Sequence, residues 1–108
     1  MKKGNLFADV PEILAQERFE TLLAGSTFRL ERIVSKAQAT PEGEWYDQAW
    51  SEWVLLLKGS AGLRIEGVAA MMVLKPGDYV YLPAHLRHRV EWTDAQTETV
   101  WLALHHAP

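Results

Sequence analysis

The sequence predicts an all-β fold, either a small sandwich or a barrel. Many short segments of β-type residues recur at roughly 8–12-residue spacing, and turn residues separate them. No long stretch keeps the 3.6-residue apolar period of a helix. The chain has 108 residues, and a typical domain has about 100–150 residues. We therefore expect residues 1–108 to form a single domain.

The N-terminal third carries one helical signal and one strand signal. Asp9 can cap a helix and Pro11 is tolerated in its first turn, which predicts a short helical turn after Asp9. The segment TFRLERIV alternates between apolar and charged residues, with Arg29 and Glu31 on one face. The segment ATPEGEW follows, and its Pro41 and glycine predict a loop.

The segment EWVLLLKG is apolar on both faces, so the strand that it predicts must be covered on both sides. The expected inward residues are Glu52, Val54 and Leu56, and the expected outward residues are Trp53, Leu55 and Leu57. An exposed apolar row of this size usually marks an interface. We therefore expect a homodimer, with this strand or the N-terminal segment crossing to the partner.

Three further segments complete the β pattern. AGLRIEG alternates, with Ala61, Leu63 and Ile65 expected to face inward. MMVLKPGDYVYLP holds two short strands around a turn at residues 76–78, and Pro83 ends the second strand. TETVWLALHH is a last β-rich run that ends in two histidines, of which only one can face inward. That residue is His105 if Trp101 faces inward and His106 if it does not, and we favour His105.

His88 is the first residue with chemical interest. In LRHRVEW the charged residues must face water, so His88 shares an inward face with Leu86, Val90 and Trp92. A buried polar group without a partner costs on the order of 1–3 kcal/mol, so this imidazole needs one. A metal, a carboxylate, a ligand or a backbone group would each serve.

Composition and charge exclude several classes of function. The net charge of −3 and the pI of about 5.8 argue against nucleic acid or an anionic membrane as the partner. The sequence contains no apolar run of about 18 residues, so no transmembrane helix is predicted. No secretion signal is recognised either. The absence of cysteine excludes disulfides, thiolate ligands and a cysteine nucleophile. We expect a cytoplasmic protein.

Two spaced motifs resemble those of the cupin superfamily, which consists of small jelly-roll β-barrels. Glu52, six residues and Gly59 resemble the end of the first cupin motif, while Gly77, five residues, Pro83 and then His88 resemble the second. The similarity covers roughly residues 28–105, which is the expected barrel core. The resemblance thus implies a single-domain cupin-type jelly roll, similar to small bacterial cupins that mostly lack an assigned activity.

The resemblance also implies a metal site that this chain has altered. Glu52 and His88 match the glutamate and the second-motif histidine of cupins. The two first-motif histidine positions hold Trp45 and Asp47 in one register, or Tyr46 and Gln48 in the other. His85 and Trp92 stand where the second motif has glycine and asparagine. We expect the ligands of a divalent metal, Mn, Fe or Zn, among Asp47, Glu52, His88 and His105.

Three functions remain open. The first is a metal-dependent cupin with oxygenase-like chemistry. The second is a metal-free module that binds or senses a small molecule. The third is a metal-independent isomerase or lyase, with His88 as base and Glu52 or Tyr46 as acid. The residues expected to line an interior pocket are Trp45, Tyr46, Gln48, His85, Trp92 and Trp101, although the tryptophans could serve packing and His85 could face solvent.

Overall fold

The computed structural model describes residues 1–12 and 14–108, and these form eight β-strands. The strands are β1 (Arg18–Ala24), β2 (Phe28–Ser35), β3 (Ser51–Lys58), β4 (Ala61–Ile65), β5 (Met72–Leu74), β6 (Tyr79–Leu82), β7 (His88–Thr93) and β8 (Thr99–His106). They form a five-stranded antiparallel sheet in the order β1-β2-β8-β3-β6 and a three-stranded one in the order β5-β4-β7. The predicted all-β architecture is confirmed. No helix in the described residues is long and apolar enough to span a membrane.

The N-terminal segment differs from the prediction. Asp9 has a φ of 52°, whereas a helix-capping residue has an extended backbone. Residues 6–9 form a turn, and no helix follows in residues 10–12 or 14–17, with Ile13 outside the described part. The chain instead enters β1, a strand that the sequence pattern did not indicate. Arg32 on β2 fixes this region by donating to the Ala8 carbonyl at 2.6 Å and to both Glu20 oxygens at 2.8 and 2.9 Å.

The alternation predicted for β3 is confirmed. Its inward residues Glu52, Val54 and Leu56 are only 8%, 6% and 0% exposed. Its outward residues Trp53, Leu55 and Leu57 are half-buried. The inward residues pack in a core between the two sheets, whose other members include Ile33, Leu63, Leu74, Leu82, Trp101 and Ala103.

Two motif glycines have a conformational reason to be glycine. Gly59 follows β3 and has a φ of 87°, and a Cβ atom there would lie 2.7 Å from the Cα of Thr99. Gly77 has a φ of 95° and is the third residue of a turn that the Asp78 N–H closes by donating to the Lys75 carbonyl at 2.9 Å. Other residues adopt such positive φ angles only with strain.

A β-bulge in β7 changes the side on which Trp92 lies. Leu63 pairs with Val90, whereas the preceding Gly62 pairs with Trp92, so Glu91 is an extra residue. An extra residue of this kind breaks the strict alternation of side chains. Val90 faces the interior as expected, but the Trp92 indole lies over Gly62, where a Cβ atom would meet its Nε1 at 2.3 Å. The expectation that Trp92 faces inward is therefore wrong.

Candidate functional site

A cavity of about 360 Å³ opens between the two sheets. Most of its wall is apolar, with contributions from Ile33, Val54, Leu63, Leu82, Val90 and Trp101. Its polar wall consists of Glu17, Arg29, Glu31, Gln48, Glu52, His88 and His105, with Tyr46 beside them. A cavity of this size and mixed lining is typical of small-molecule sites.

His88 begins β7 and lies on this wall with only 5% of its surface exposed. Its Nδ1 is 2.9 Å from the Leu86 carbonyl oxygen. Because a carbonyl only accepts hydrogen bonds, Nδ1 donates to it, and in the neutral form of the ring the lone pair is on Nε2. That Nε2 atom lies 3.8 Å from Oε1 of Glu52. The backbone therefore fixes His88 in the tautomer whose free lone pair is next to Glu52.

Tyr46 supports the His88 ring from the loop before β3. The two rings stack with centroids 5.5 Å apart, and the Tyr46 N–H donates to the His88 carbonyl at 2.8 Å. Burial raises the pKa of Tyr46, as do the nearby Glu17 and Glu52 carboxylates, while a hydrogen bond with Thr40 opposes the rise. Tyr46 thus remains a protonated hydroxyl at the cavity wall.

Glu52 is a buried carboxyl group without a hydrogen-bond partner among the described residues. One oxygen is 3.8 Å from His88 Nε2 and the other is 3.7 Å from His105 Nε2, beyond hydrogen-bonding distance. Burial raises the pKa of Glu52, and the Glu31 carboxylate adds to this, whereas His105, His88 and Arg29 oppose it. Glu52 therefore holds its proton to higher pH than an exposed glutamate does.

His105 is the late histidine that faces inward. It is 4% exposed, and Trp101 and Ala103 on the same strand are also buried, as the alternation requires. His106 lies on the outer face, where its ring stacks on Tyr81. The Nε2 atom of His105 lies 2.7 Å from Oε1 of Glu31, which forms a buried pair.

Glu31 is a site residue that the sequence analysis did not single out. It is 6% exposed on β2 and contacts both His105 and, at 3.5 Å, the Arg29 guanidinium. The alternation of TFRLERIV correctly put Arg29 and Glu31 on one face, and that face is the one turned toward the cavity. The sequence signal for this inward face was Ile33, an apolar residue that lies two positions after Glu31 and therefore on the same face. Glu17 was also missed, because it precedes the unrecognised strand β1.

Four of the residues expected at the site lie elsewhere. Asp47 Oδ1 is 2.7 Å from His85 Nδ1, and both side chains are exposed, by 50% and 68%. Trp45 lies under the Arg89 guanidinium, 5.9 Å from it, and Trp92 is on the outer face of the bulge. None of these four residues lines the cavity, whereas the expected Tyr46, Gln48, Glu52, His88, Trp101 and His105 do.

The donor set does not fit the expected metal site. Asp47 is bound to His85 outside the cavity, and His105 Nε2 is bound to Glu31. The two histidines also approach different oxygens of Glu52. Residues 1–12 and 14–108 contain no group of three or more His, Asp or Glu side chains arranged to hold a metal ion.

Fold and site together define a small jelly-roll barrel with a cavity between its sheets. The chain belongs to the cupin family, because the family model of the cupin domain matches residues 34–105. A protein from Ralstonia eutropha JMP134, provisionally described as a mannose-6-phosphate isomerase, is 50% identical over 100% of both chains, with a TM-score of 0.98.

More distant solved structures share the fold. The polyketide cyclase RemF from Streptomyces resistomycificus is 20% identical, with a TM-score of 0.76 over 100% of this chain and 80% of that one. A cupin superfamily protein from Desulfitobacterium hafniense DCB-2 is 14% identical, with a TM-score of 0.77 over 100% of this chain and 94% of that one. No curated protein matches the chain.

Proposed function

We propose that this cupin binds a small carbonyl compound and transfers a proton at the carbon next to the carbonyl group, without a metal. One observation carries the proposal: the Nε2 lone pair of His88 lies 3.8 Å from a buried carboxyl, Glu52, whose pKa is raised. A neutral imidazole is a base, and a carboxyl that retains its proton is an acid. Such neighbouring groups with opposite roles are typical of acid–base catalysis.

The proposed step conserves protons and electrons. His88 Nε2 takes a proton from the carbon next to the carbonyl, and the electron pair of that C–H bond forms a C=C bond. The carbonyl π pair moves onto oxygen, which takes the proton of Glu52. The result is an enol, an imidazolium and a carboxylate, and proton return to carbon regenerates a carbonyl compound, exchanged or isomerised.

The Ralstonia relative supports this class of reaction. Its provisional description names an isomerase that acts on a sugar phosphate, and the interconversion of an aldose and a ketose is a proton transfer next to a carbonyl. At 50% identity over the whole chain, a shared type of chemistry is a reasonable inference. This inference concerns the type of reaction and does not extend to the substrate.

A divalent-metal function is the competing proposal. His88 Nε2 and a Glu52 oxygen would be two ligands, and His105 would have to leave Glu31 to become the third. Elemental analysis of untagged protein, repeated on His88→Ala, separates the two proposals. Stoichiometric Mn, Fe or Zn that is lost in the variant would favour the metal, and metal-free protein with full activity would reject it.

We also propose a homodimer, which the outer face of the five-stranded sheet supports. Trp53 packs on Tyr79 at 5.5 Å between ring centroids, and Tyr79 and Tyr81 remain 66% and 51% exposed. Half-buried leucines of β3 lie beside them. Light scattering at micromolar concentration tests this proposal, and a monomeric mass in the wild type would contradict it.

Solvent deuterium exchange tests the proton transfer. Phenylacetone and mannose 6-phosphate are incubated in D₂O with EDTA-treated protein, and NMR follows the C–H signals next to each carbonyl. We expect exchange of at least one probe to fall about 10²–10⁴-fold in His88→Gln, the usual contribution of a general base. Glu66→Gln, at an exposed glutamate, is the control. Equal rates in the wild type and His88→Gln would refute the proposal.

A further inference from the structure

The charges around the cavity restrict what it can bind. Three carboxyl groups line it, those of Glu17, Glu31 and Glu52, while Arg29 is its only lysine or arginine among the described residues. The Arg29 side chain is 46% exposed, and its Nε is 3.5 Å from Glu31, so a carboxylate already opposes its charge. Among the described residues, the lining therefore offers an anionic ligand a single arginine, whose charge a carboxylate partly opposes.

The wall of this cavity is poorly suited to binding a phosphate group. Phosphate sites use several N–H donors, from arginine, lysine or the N-terminus of a helix. The described residues form no helix at all, and apart from Arg29 the cavity-lining residues with side-chain N–H groups are Gln48, Trp101 and the two histidines. A phosphate dianion would also lie near the Glu31 carboxylate, and like charges repel where water is partly excluded.

The Glu52 carboxyl group can bind one polar group of a ligand. Its side chain is nine-tenths buried, faces the cavity and makes no hydrogen bond to the described residues. The Glu52 oxygens are not among the fully enclosed polar atoms of the described residues, so a ligand in the cavity can reach them. When protonated, Glu52 can donate to one carbonyl oxygen. His88 and His105 flank the Glu52 carboxyl within 4 Å, and the apolar part of the cavity wall includes Val54 and Leu63.

From these observations we infer that the cavity takes an uncharged, largely apolar carbonyl compound, not a phosphorylated sugar. The carbonyl oxygen binds at Glu52 and the hydrocarbon part covers the apolar wall. This inference rests on the proposed function for the carbonyl group, but the charge selection is independent of it. The substrate then differs from the one named for the Ralstonia relative.

Calorimetric titration of the intact protein with two probes tests the inference. We expect phenylacetone to bind with a Kd at least tenfold lower than that of mannose 6-phosphate. We also expect inorganic phosphate to leave phenylacetone binding unchanged. Tighter binding of mannose 6-phosphate would overturn the inference, and so would binding of neither probe.

Two arginine variants test whether any binding of mannose 6-phosphate depends on the arginine at the cavity. Arg29→Gln removes the cation at the cavity, and Arg87→Gln removes an equally exposed arginine, also 46% exposed, that pairs with Glu66 instead. Binding of mannose 6-phosphate that is lost in the first variant and kept in the second would identify Arg29 as a phosphate receptor. That outcome would contradict the inference directly.

The ligand-binding test and the deuterium-exchange test can fail independently of each other. If phenylacetone binds but its C–H groups do not exchange, the proposed proton transfer is wrong and the selection for an uncharged ligand stands. If mannose 6-phosphate binds more tightly and exchanges in a His88-dependent manner, the proton transfer stands and the inference on the substrate class is wrong.

Discussion

Replacing Glu52 by methionine is expected to stabilise the protein. The carboxyl is 8% exposed and has no hydrogen-bond partner among the described residues. Its oxygens line the cavity, and partial burial of a carboxyl group without a protein partner costs up to about 1–3 kcal/mol, whereas methionine is an unbranched apolar side chain of similar length. We therefore expect Glu52→Met to raise the free energy of unfolding by about 1–3 kcal/mol, or the Tm by about 4–8 °C per kcal/mol.

The stabilisation should depend on pH in a defined direction. Burial raises the pKa of Glu52, so the folded protein binds this proton more tightly than the unfolded chain does. The stability that protonated Glu52 contributes is complete below the unfolded pKa of about 4.3 and is lost as pH rises through the folded pKa. The gain from Glu52→Met should thus be larger at pH 8 than at pH 4.

Urea unfolding at both pH values measures this gain. Glu66→Met is the matched control, because the Glu66 side chain is 49% exposed, and surface changes of this kind stay within about 0.5 kcal/mol. A Glu52→Met protein that is less stable than the wild type at pH 8 would refute the reasoning. Equal gains at pH 4 and pH 8 would show that the ionisation of Glu52 carries no penalty.

Two further stability predictions concern a turn and an ion pair. Gly59→Ala should lose about 1–3 kcal/mol more than Gly67→Ala in urea unfolding, because both glycines have a positive φ but only Gly59 is approached closely, by Thr99; equal losses would contradict this. His105→Ala should lose about 1–3 kcal/mol, since the buried Glu31 carboxylate then keeps only its 3.5 Å contact with the Arg29 guanidinium. A loss below about 1 kcal/mol would mean that Glu31 finds another partner or a proton.

Much of the fold followed from the sequence because alternation and turn chemistry are local signals. The pattern of EWVLLLKG correctly gave the buried and outward faces of β3, and LRHRVEW correctly turned His88 inward. In the last strand, the inward Trp101 predicted that His105 also faces inward, since every second residue of a strand lies on the same face. Gly59 and Gly77 marked places where the backbone needs a positive φ.

The misses came from non-local features. The β7 bulge that moves Trp92 outward depends on pairing with β4, which no local pattern reveals. Asp47 is paired with His85, which is distant in sequence, so it is unavailable to the cavity. Glu31 reaches His105 across the register of two strands. The predicted helical turn after Asp9 failed because Asp9 adopts a left-handed backbone.

A crystal structure with phenylacetone bound tests the central claim most directly. We predict that the carbonyl oxygen lies within about 3 Å of a Glu52 oxygen, the distance of a hydrogen bond. We also predict that the adjacent carbon is the ligand atom nearest His88 Nε2, with His105 still bound to Glu31. A ligand bound outside the cavity would contradict the account. So would a metal ion held by Glu52, His88 and His105.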